Sequence, residues 1–307
     1  MDYCQNVAEH GLTLCCDLRP DGDTHLALRQ LKAESGEQAE QRMGEILRRI
    51  EDDTAAYVDA AKGHCSIWEW WGEFDCPHTG GMWPGKGATY PPMLEAFGRG
   101  VKSVQPDGQV WNGGYGVNFQ PQFLEGLIEA CPTSFDGANW HHYNIGQYWA
   151  MHSGTGEFQF DEPLHKSIMY TADKFRRMFE QSRTAMAAAG CTAPFVSSEW
   201  GMPVVDDYVV STLRAVGLKS YVFQDGVYGL CETEAAQYLD AWLEVFKQTG
   251  FVVLNYHRLR DSLPFGPDED GTFWGAYCGL IYSDGEPKAK MLEVIKHWAT
   301  QENGGAE

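Results

Sequence analysis

The chain has 307 residues, of which 43% are hydrophobic and 21% are charged, so its composition excludes wholesale disorder. Asp and Glu outnumber Lys and Arg by 43 to 23, and the resulting formal charge of −20 argues against nucleic acid or an anionic membrane as partner. No window approaches the roughly 18 apolar residues of a membrane-spanning helix. No signal peptide is visible, so the compartment stays open between cytoplasmic by default and secreted if upstream sequence is missing.

Short apolar runs alternate along the chain with segments in which apolar residues recur at helical spacing. The predicted strands cover residues 13–18, 65–71, 109–113, 136–143, 194–200 and 251–257, with a short additional strand at 218–223. The predicted helices are centred on residues 2–9, 43–61, 93–101, 123–128, 168–189, 235–246 and 291–298. Strands that alternate with helices in this way predict parallel βα units.

Two architectures satisfy this alternation, a doubly wound sheet and a closed (β/α)8 barrel. The first strand leads into Asp17–Gly22, which lacks the glycine fingerprint of a nucleotide-binding sheet. Polar and aromatic residues instead gather at the carboxyl ends of several strands, where a barrel places its active site. We therefore expect a single catalytic (β/α)8 TIM barrel over residues 1–307. Because only about six main strands are found, we expect the sequence to begin partway into the barrel.

Nine cysteines are spread through the predicted strands and loops. No CxxC pair and no HExxH motif occurs, so the sequence predicts free thiols and no metal site, and it indicates no cofactor.

Two predicted strand ends carry carboxylates within aromatic runs. Glu69 and Glu73 lie in IWEWWGEFD, and Glu199 lies in FVSSEWG. A sugar ring is apolar on its faces and polar at its rim, so aromatic platforms beside hydrogen-bonding groups suit it. Two carboxylates suit glycosidic cleavage, one as proton donor and one as nucleophile. An aromatic, partly desolvated setting would raise the pKa of the proton donor.

These segments resemble a clan of (β/α)8 retaining glycoside hydrolases, particularly its β-xylosidase-type and arabinofuranosidase-type members. The clan's fourth strand ends in W-E-x-W-N-E-P, and residues 68–74 read WEWWGEF, so the resemblance implies Glu73 as the acid/base. Its seventh strand ends in T/S-E-W/F-G, and residues 198–201 read SEWG, so the resemblance implies Glu199 as the nucleophile. The segment from Gly279 to Lys288 also resembles the clan's G-L-x-D-x-x-G-x-P-K tail.

The clan's sixth strand ends in H-x-Y or HYY, which the resemblance aligns with His142 and Tyr143, the latter hydrogen-bonding the nucleophile. Trp274 would be the aromatic platform after strand eight. The expected catalytic residues are thus Glu73 and Glu199, and the expected substrate-binding residues are Trp71, Asn112, His142, Tyr143, Trp200, Tyr256 and Trp274. The expected partner is a glycoside or an oligo- or polysaccharide, whereas the oligomeric state is left open.

Two departures from the clan's pattern matter. Gly72 replaces the Asn that contacts the sugar 2-hydroxyl, so Asn112, Asn139 or Asn144 would have to take over that contact. The strand-two Arg that supports the nucleophile has no counterpart. A non-catalytic carbohydrate-binding barrel is therefore an alternative to a β-glycosidase.

A third reading is a metal-dependent barrel hydrolase that uses His141, His142 and nearby acids. Adjacent strand residues point to opposite faces, so one of these histidines is expected to line the site and the other to pack outside. Glu69 is expected to be a supporting or ion-paired carboxylate, and Asp17 and Arg19 are weaker site candidates. Substrate choice is expected to lie in the loops at 77–92 and 259–272.

Overall fold

The computed structural model of the chain divides into two compact units. The first comprises residues 1–141 and 181–198, and the second comprises residues 142–180 and 199–307. The structure describes residues 13–31, 35–61, 63–74, 89–115, 121–142, 164–202, 204–205, 230–261 and 278–303. In chain order the elements are β1 (Leu14–Leu18), α1 (Gly22–Leu31), α2 (Glu37–Ala61), β2 (Cys65–Trp70), α3 (Tyr90–Val104), β3 (Gln109–Asn112), α4 (Pro121–Ala130), β4 (Ala138–His142), α5 (Leu164–Ala188), β5 (Phe195–Trp200), β6 (Val204–Val205), β7 (Leu230–Cys231), α6 (Glu232–Thr249), β8 (Phe251–Tyr256) and α7 (Ala289–Asn303).

The first unit is built around parallel strands in the order β1-β2-β3. The register places Asp17 of β1 beside Glu69 of β2, and Glu69 beside Trp111 of β3. Isolated parallel bridges then connect the end of β3 to β4, through Trp111 with Gly137 and Tyr115 with Trp140. Because parallel strands end at the same edge, the residues that terminate β1, β2, β3 and β4 are brought together there.

Helices pack on this sheet through an apolar face, as their periodicity predicts. The inward positions of α3 are fully buried, among them Met93, Phe97 and Val101. Gly100 of α3 lies so close to α2 that a Cβ would sit 2.6 Å from the carbonyl oxygen of Glu51. α2 and α3 therefore pack closely against each other, and α3 also contacts β2 and β3.

The second unit has an aromatic core. The rings of Phe175 and Trp242 meet edge-on with centroids 5.2 Å apart, and Phe246 packs against Trp200 at 5.2 Å and against Phe251 at 5.0 Å. Aromatic pairs in this geometry add stabilisation beyond simple burial. Through Phe246, these contacts link the end of β5 to the start of β8 in this unit.

The predicted alternation of strands and helices is confirmed, with element bounds within a few residues. Gly190 lies two residues beyond the end of α5 and Gly250 lies directly after α6, with positive φ values of 73° and 81°. Both helices therefore end where the sequence indicated. One helix and two short strands were not predicted. α1 precedes the predicted long helix as a separate element that begins at Gly22, and β6 and β7 pair with each other in parallel. The backbone N–H of Thr24 donates to the side chain of Asp21 at 2.7 Å, which caps that helix.

The expected strand at 218–223 and the expected helix at 2–9 lie outside the described residues. Within the described ranges the strands form no single closed ring, so the fold is a mixed α/β fold with parallel strand pairing, and barrel closure stays a prediction. None of the helices described is both long enough and apolar enough to cross a membrane.

Candidate active site

The turn after β2 holds its residues in uncommon backbone conformations. Trp71 and Glu73 have φ values of 59° and 57°, in the left-handed region that non-glycine residues rarely adopt. Hydrogen bonds impose this path, since the N–H of Trp71 donates to Leu18 at 2.9 Å and the N–H of Gly72 donates to Asp17 at 3.1 Å. Local strain of this kind persists only where surrounding contacts enforce it, and it concentrates at functional sites.

The end of β3 supplies the other side of the turn. The N–H of Glu73 donates to the carbonyl of Gly114 at 2.8 Å, and the N–H of Gly114 donates to Oε1 of Glu69 at 2.8 Å. One residue therefore orients both glutamates. Only glycine fits there, because a Cβ on Gly114 would overlap the ring of His141.

His141 at the end of β4 lies between the two glutamates. Its Nδ1 is 3.3 Å from Oε1 of Glu73, and its Nε2 is 3.4 Å from Oε1 of Glu69. The Glu69 side chain is only 3% exposed, whereas that of Glu73 is 17% exposed. Glu73 thus has contact with solvent on one side and with a buried imidazole on the other.

The surroundings shift the pKa values of the carboxylates Glu69 and Asp17 in opposite directions. Burial alone would raise the pKa of Glu69, but interactions with His141, Ser198 and Gly114 lower it below its usual range, which favours the ionised form of this carboxylate. Burial and the negative charge of Glu69 raise the pKa of Asp17. Arg19 pairs with Asp17 at 2.9 Å, which limits that rise.

Gly72 stands where the resembled clan has Asn, and its surroundings explain why a larger residue does not fit easily. A Cβ at Gly72 would lie 3.2 Å from Cε1 of His141 and 3.3 Å from carboxylate oxygens of Asp17 and Glu69. The space next to the turn is thus occupied by three other polar side chains.

Asn112 and Asn139, both considered as sugar ligands, are fully buried and bond to each other's backbone. Oδ1 of Asn112 accepts the N–H of Asn139 at 2.8 Å, and Nδ2 of Asn112 donates to Gly113 at 2.8 Å. These bonds hold β3 to β4, which is a structural task. Trp71 is also buried, with its ring edge-on to His25 at 4.8 Å.

In the second unit, Glu199 lies near the end of β5 with its side chain 30% exposed. Its Oε1 is 3.5 Å from Nδ1 of His257, whose backbone N–H donates to Trp200 at 2.6 Å. Trp200 is buried and packs edge-on against Tyr256 at 5.4 Å. Trp200, which was expected to bind substrate, therefore belongs to the aromatic core of this unit.

Some expected site residues cannot be placed. Tyr143, Asn144 and Trp274 lie outside the described residues, as does most of both specificity loops. His142 ends β4, but its side chain is outside the described part of the chain. The sequence did not show which of His141 and His142 lines the site. The structure places His141 in contact with Glu73.

Ser198 was quoted only as part of the SEWG motif, but its hydroxyl lies 3.0 Å from Nε2 of His141. A polar residue directly before an expected nucleophile, on a strand next to β4, was the available signal.

No protein-family model and no curated protein sequence matches the chain. Among solved structures, a glucosidase from Croceicoccus marinus matches with a TM-score of 0.58 at 13% identity, over 96% of this chain and 52% of its own. β-Glucuronidases from Ruminococcus gnavus and an uncultured Clostridium sp. each match with a TM-score of 0.54, at 15% and 9% identity, over 97% of this chain and 42% of theirs. The chain therefore spans about half of the length of these structures or less. At such identities the likeness shows the fold alone, and this chain shares a mixed α/β fold with structures of β-glucuronidases and a glucosidase.

Proposed function

We propose that the chain is a retaining β-glycoside hydrolase and that residues 1–307 belong to one catalytic (β/α)8 barrel domain. The proposal rests on Glu73, a partly exposed carboxylate held in a strained turn at the carboxyl end of a parallel strand and backed by a buried imidazole. The fold shared with a glucosidase and β-glucuronidases supports it, as does the resemblance of both glutamate segments to the retaining clan.

In the first step, Glu199 attacks the anomeric carbon while Glu73 donates a proton to the leaving oxygen. In the second step, Glu73 removes a proton from water, which hydrolyses the glycosyl-enzyme and releases a product of unchanged anomeric configuration. This chemistry needs no metal and no organic cofactor. It requires the two carboxyl groups to be about 5–5.5 Å apart when substrate is bound, whereas an inverting enzyme would need about 6.5–9.5 Å.

The partial exposure of Glu199 suits a nucleophile that must reach a sugar. His257 at 3.5 Å from its carboxylate would favour the ionised form when the imidazole is protonated. Tyr143, His142, Tyr256 and Trp274 remain proposed sugar contacts, whereas the buried Trp200 offers no surface to a sugar.

The test is turnover of a panel of 4-nitrophenyl β-glucosides, β-glucuronides, β-xylosides and α-arabinofuranosides. Glu199→Ala should abolish turnover of every substrate that the wild type cleaves. Glu73→Ala should retain cleavage of activated aryl glycosides, and azide should accelerate it by replacing the water that the missing base would activate. Glu129→Ala, an exposed carboxylate on α4, is the matched control and should behave as the wild type.

The stereochemistry of the first-formed product, followed by proton NMR, tests the retaining mechanism separately. An inverted product would refute the double displacement. Undiminished activity of Glu199→Ala would refute the role of the nucleophile.

A second candidate function is a carbohydrate-binding barrel without catalysis. It is favoured by Gly72, where the clan has a residue that strengthens transition-state binding, and by the crowding that hinders any replacement there. Calorimetry that detects sugar binding by a protein with no turnover on the full panel would favour this candidate over the enzyme.

A further inference from the structure

Glu69 is a buried carboxylate that the two-step mechanism does not use. The imidazole of His141 contacts both Glu69 and Glu73. The hydrogen bonds around Glu69 determine which side-chain atoms carry protons. The chain of hydrogen bonds starts at a backbone N–H, which can only donate. The backbone N–H of Ser198 donates to Oδ1 of Asn139 at 2.9 Å, which fixes the orientation of that amide. Nδ2 of Asn139 consequently faces the Ser198 hydroxyl and donates to it at 2.8 Å.

Nε2 of His141 faces two oxygen atoms, the Ser198 hydroxyl at 3.0 Å and Oε1 of Glu69 at 3.4 Å. Oε1 of Glu69 also accepts the N–H of Gly114 at 2.8 Å. A carboxylate can only accept, and the Ser198 oxygen, which already accepts from Nδ2 of Asn139, has a second lone pair. A proton on Nε2 therefore has two acceptors, whereas a lone pair there would face the carboxylate oxygen of Glu69. This geometry favours the proton on Nε2.

It follows that Nδ1 of His141 faces Glu73 either with a lone pair or, in the imidazolium, with a second proton. The 3.3 Å contact between Nδ1 and Oε1 of Glu73 then holds one proton between the two groups. The negative charge of Glu69, 3.4 Å from Nε2, stabilises the imidazolium and keeps that proton in the cluster. Among the described residues of the first unit, the other charged groups close to these carboxylates are Asp17 and Arg19, which pair with each other at the end of β1.

We propose that Glu69 is a positioning residue, whose buried carboxylate holds His141 in its Nε2-protonated form so that Nδ1 exchanges one proton with Glu73. In the forward direction, the N–H bond at Nδ1 breaks and an O–H bond forms at Glu73, which becomes the neutral acid. After Glu73 has given this proton to the leaving oxygen and taken another from water, the reverse transfer returns a proton to His141. The kinetic role rests on the proposed function, whereas the state of the imidazole does not.

The first test is long-range proton–nitrogen NMR of the imidazole rings in 15N-labelled protein, with the His141 signals assigned by their loss in His141→Gln. The wild type should show Nε2 protonated throughout the titration. In Glu69→Gln the midpoint of the His141 titration should fall by about 1–3 pH units, because an opposite charge within about 4–6 Å shifts a pKa by that amount. A neutral ring protonated at Nδ1 in the wild type, or an unchanged midpoint in Glu69→Gln, would overturn the proposal.

The second test is kinetic and separates positioning from a structural role. For Glu69→Gln, kcat/KM should fall about tenfold or more for a phenyl glycoside, since general acid catalysis is worth about 10²–10⁴, and should change little for a dinitrophenyl glycoside that needs no acid. An equal loss for both leaving groups would overturn the proposal.

Should Glu69→Gln fail to fold, Ser198→Ala serves in its place, because it removes the acceptor of the Nε2 proton and should increase the Nδ1-protonated form. Glu129→Gln is the control. A wild type without turnover would refute the proposed function, and the NMR result would still decide the role of Glu69.

Discussion

Lys288 and Asp261 form a buried ion pair in the second unit, and the loss of either charge should strongly destabilise that unit. Both side chains are almost completely buried, and Nζ lies 3.0 Å from the carboxylate. Oδ1 of Asp261 also accepts the N–H of Gly279 at 2.7 Å, and Nζ is 3.4 Å from the carbonyl of Val204. The pair therefore joins Lys288, directly before α7, to Asp261 in the segment that follows β8.

The expected magnitude follows from this geometry. At an effective dielectric constant of about 20, unit charges at 3.0 Å attract by about 5.5 kcal/mol. Desolvation opposes this attraction, as shown by burial lowering the pKa of Lys288 and raising that of Asp261. Removal of one partner leaves the other charge buried, so Lys288→Met should lower the free energy of unfolding by about 3–5 kcal/mol.

The assay is urea denaturation monitored by circular dichroism, applied to a double-mutant cycle. Asp261→Asn keeps the acceptor for Gly279 and removes the charge, so the double variant should be more stable than the sum of the single losses, by about 2–3 kcal/mol. Lys296→Met, on the exposed side of α7, is the control and should stay within about 0.5 kcal/mol of the wild type. A loss below about 1 kcal/mol for Lys288→Met, or strict additivity in the cycle, would refute the reasoning.

Three further predictions concern the first unit. Gly114→Ala should lower the free energy of unfolding by about 1–3 kcal/mol in urea denaturation, because its Cβ would overlap the ring of His141. Iodoacetamide at about pH 7.5 should alkylate Cys16 much faster than Cys131, as measured by timed peptide mass spectrometry. The reason is that a hydrogen bond with the Cys65 side chain lowers the pKa of Cys16 to about 7, whereas burial raises the pKa of Cys131 to about 12. Acidification from about pH 6 to about pH 3 should destabilise the wild type more than Glu69→Gln in the same denaturation assay, because the stability from a lowered carboxylate pKa is complete above the ordinary value of 4.5 and is lost below it.

Each of these predictions has a matched comparison. Gly44→Ala in α2, where a Cβ meets nothing within 4 Å, should stabilise by about 0.5–1 kcal/mol, so a Gly114→Ala variant that behaves the same way would contradict the packing argument. Equal alkylation rates at Cys16 and Cys131 would contradict the thiol assignment. Parallel acid unfolding of the wild type and Glu69→Gln would contradict the ionised state of Glu69.

The sequence was sufficient to predict the order of strands and helices, since apolar periodicity and helix-ending glycines such as Gly190 are local signals. It could not decide which face of β4 is directed at Glu73, because a period of two distinguishes His141 from His142 but does not say which one points inward. The sequence also could not assign the role of Asn112. An asparagine side chain can bind a sugar, and it can equally well link two strands by hydrogen bonds, as it does here. Three-dimensional proximity alone explains Gly114, whose small size matters only because His141 lies against it.

The turn that carries Glu73 depends on its neighbours for its shape. Each left-handed non-glycine residue costs about 1–3 kcal/mol, and Trp71 and Glu73 both adopt that conformation on either side of Gly72. Glycine at these two positions would avoid the steric cost. Because an indole and an acid stand there instead, the hydrogen bonds of the turn to Leu18, Asp17 and Gly114 must offset that cost.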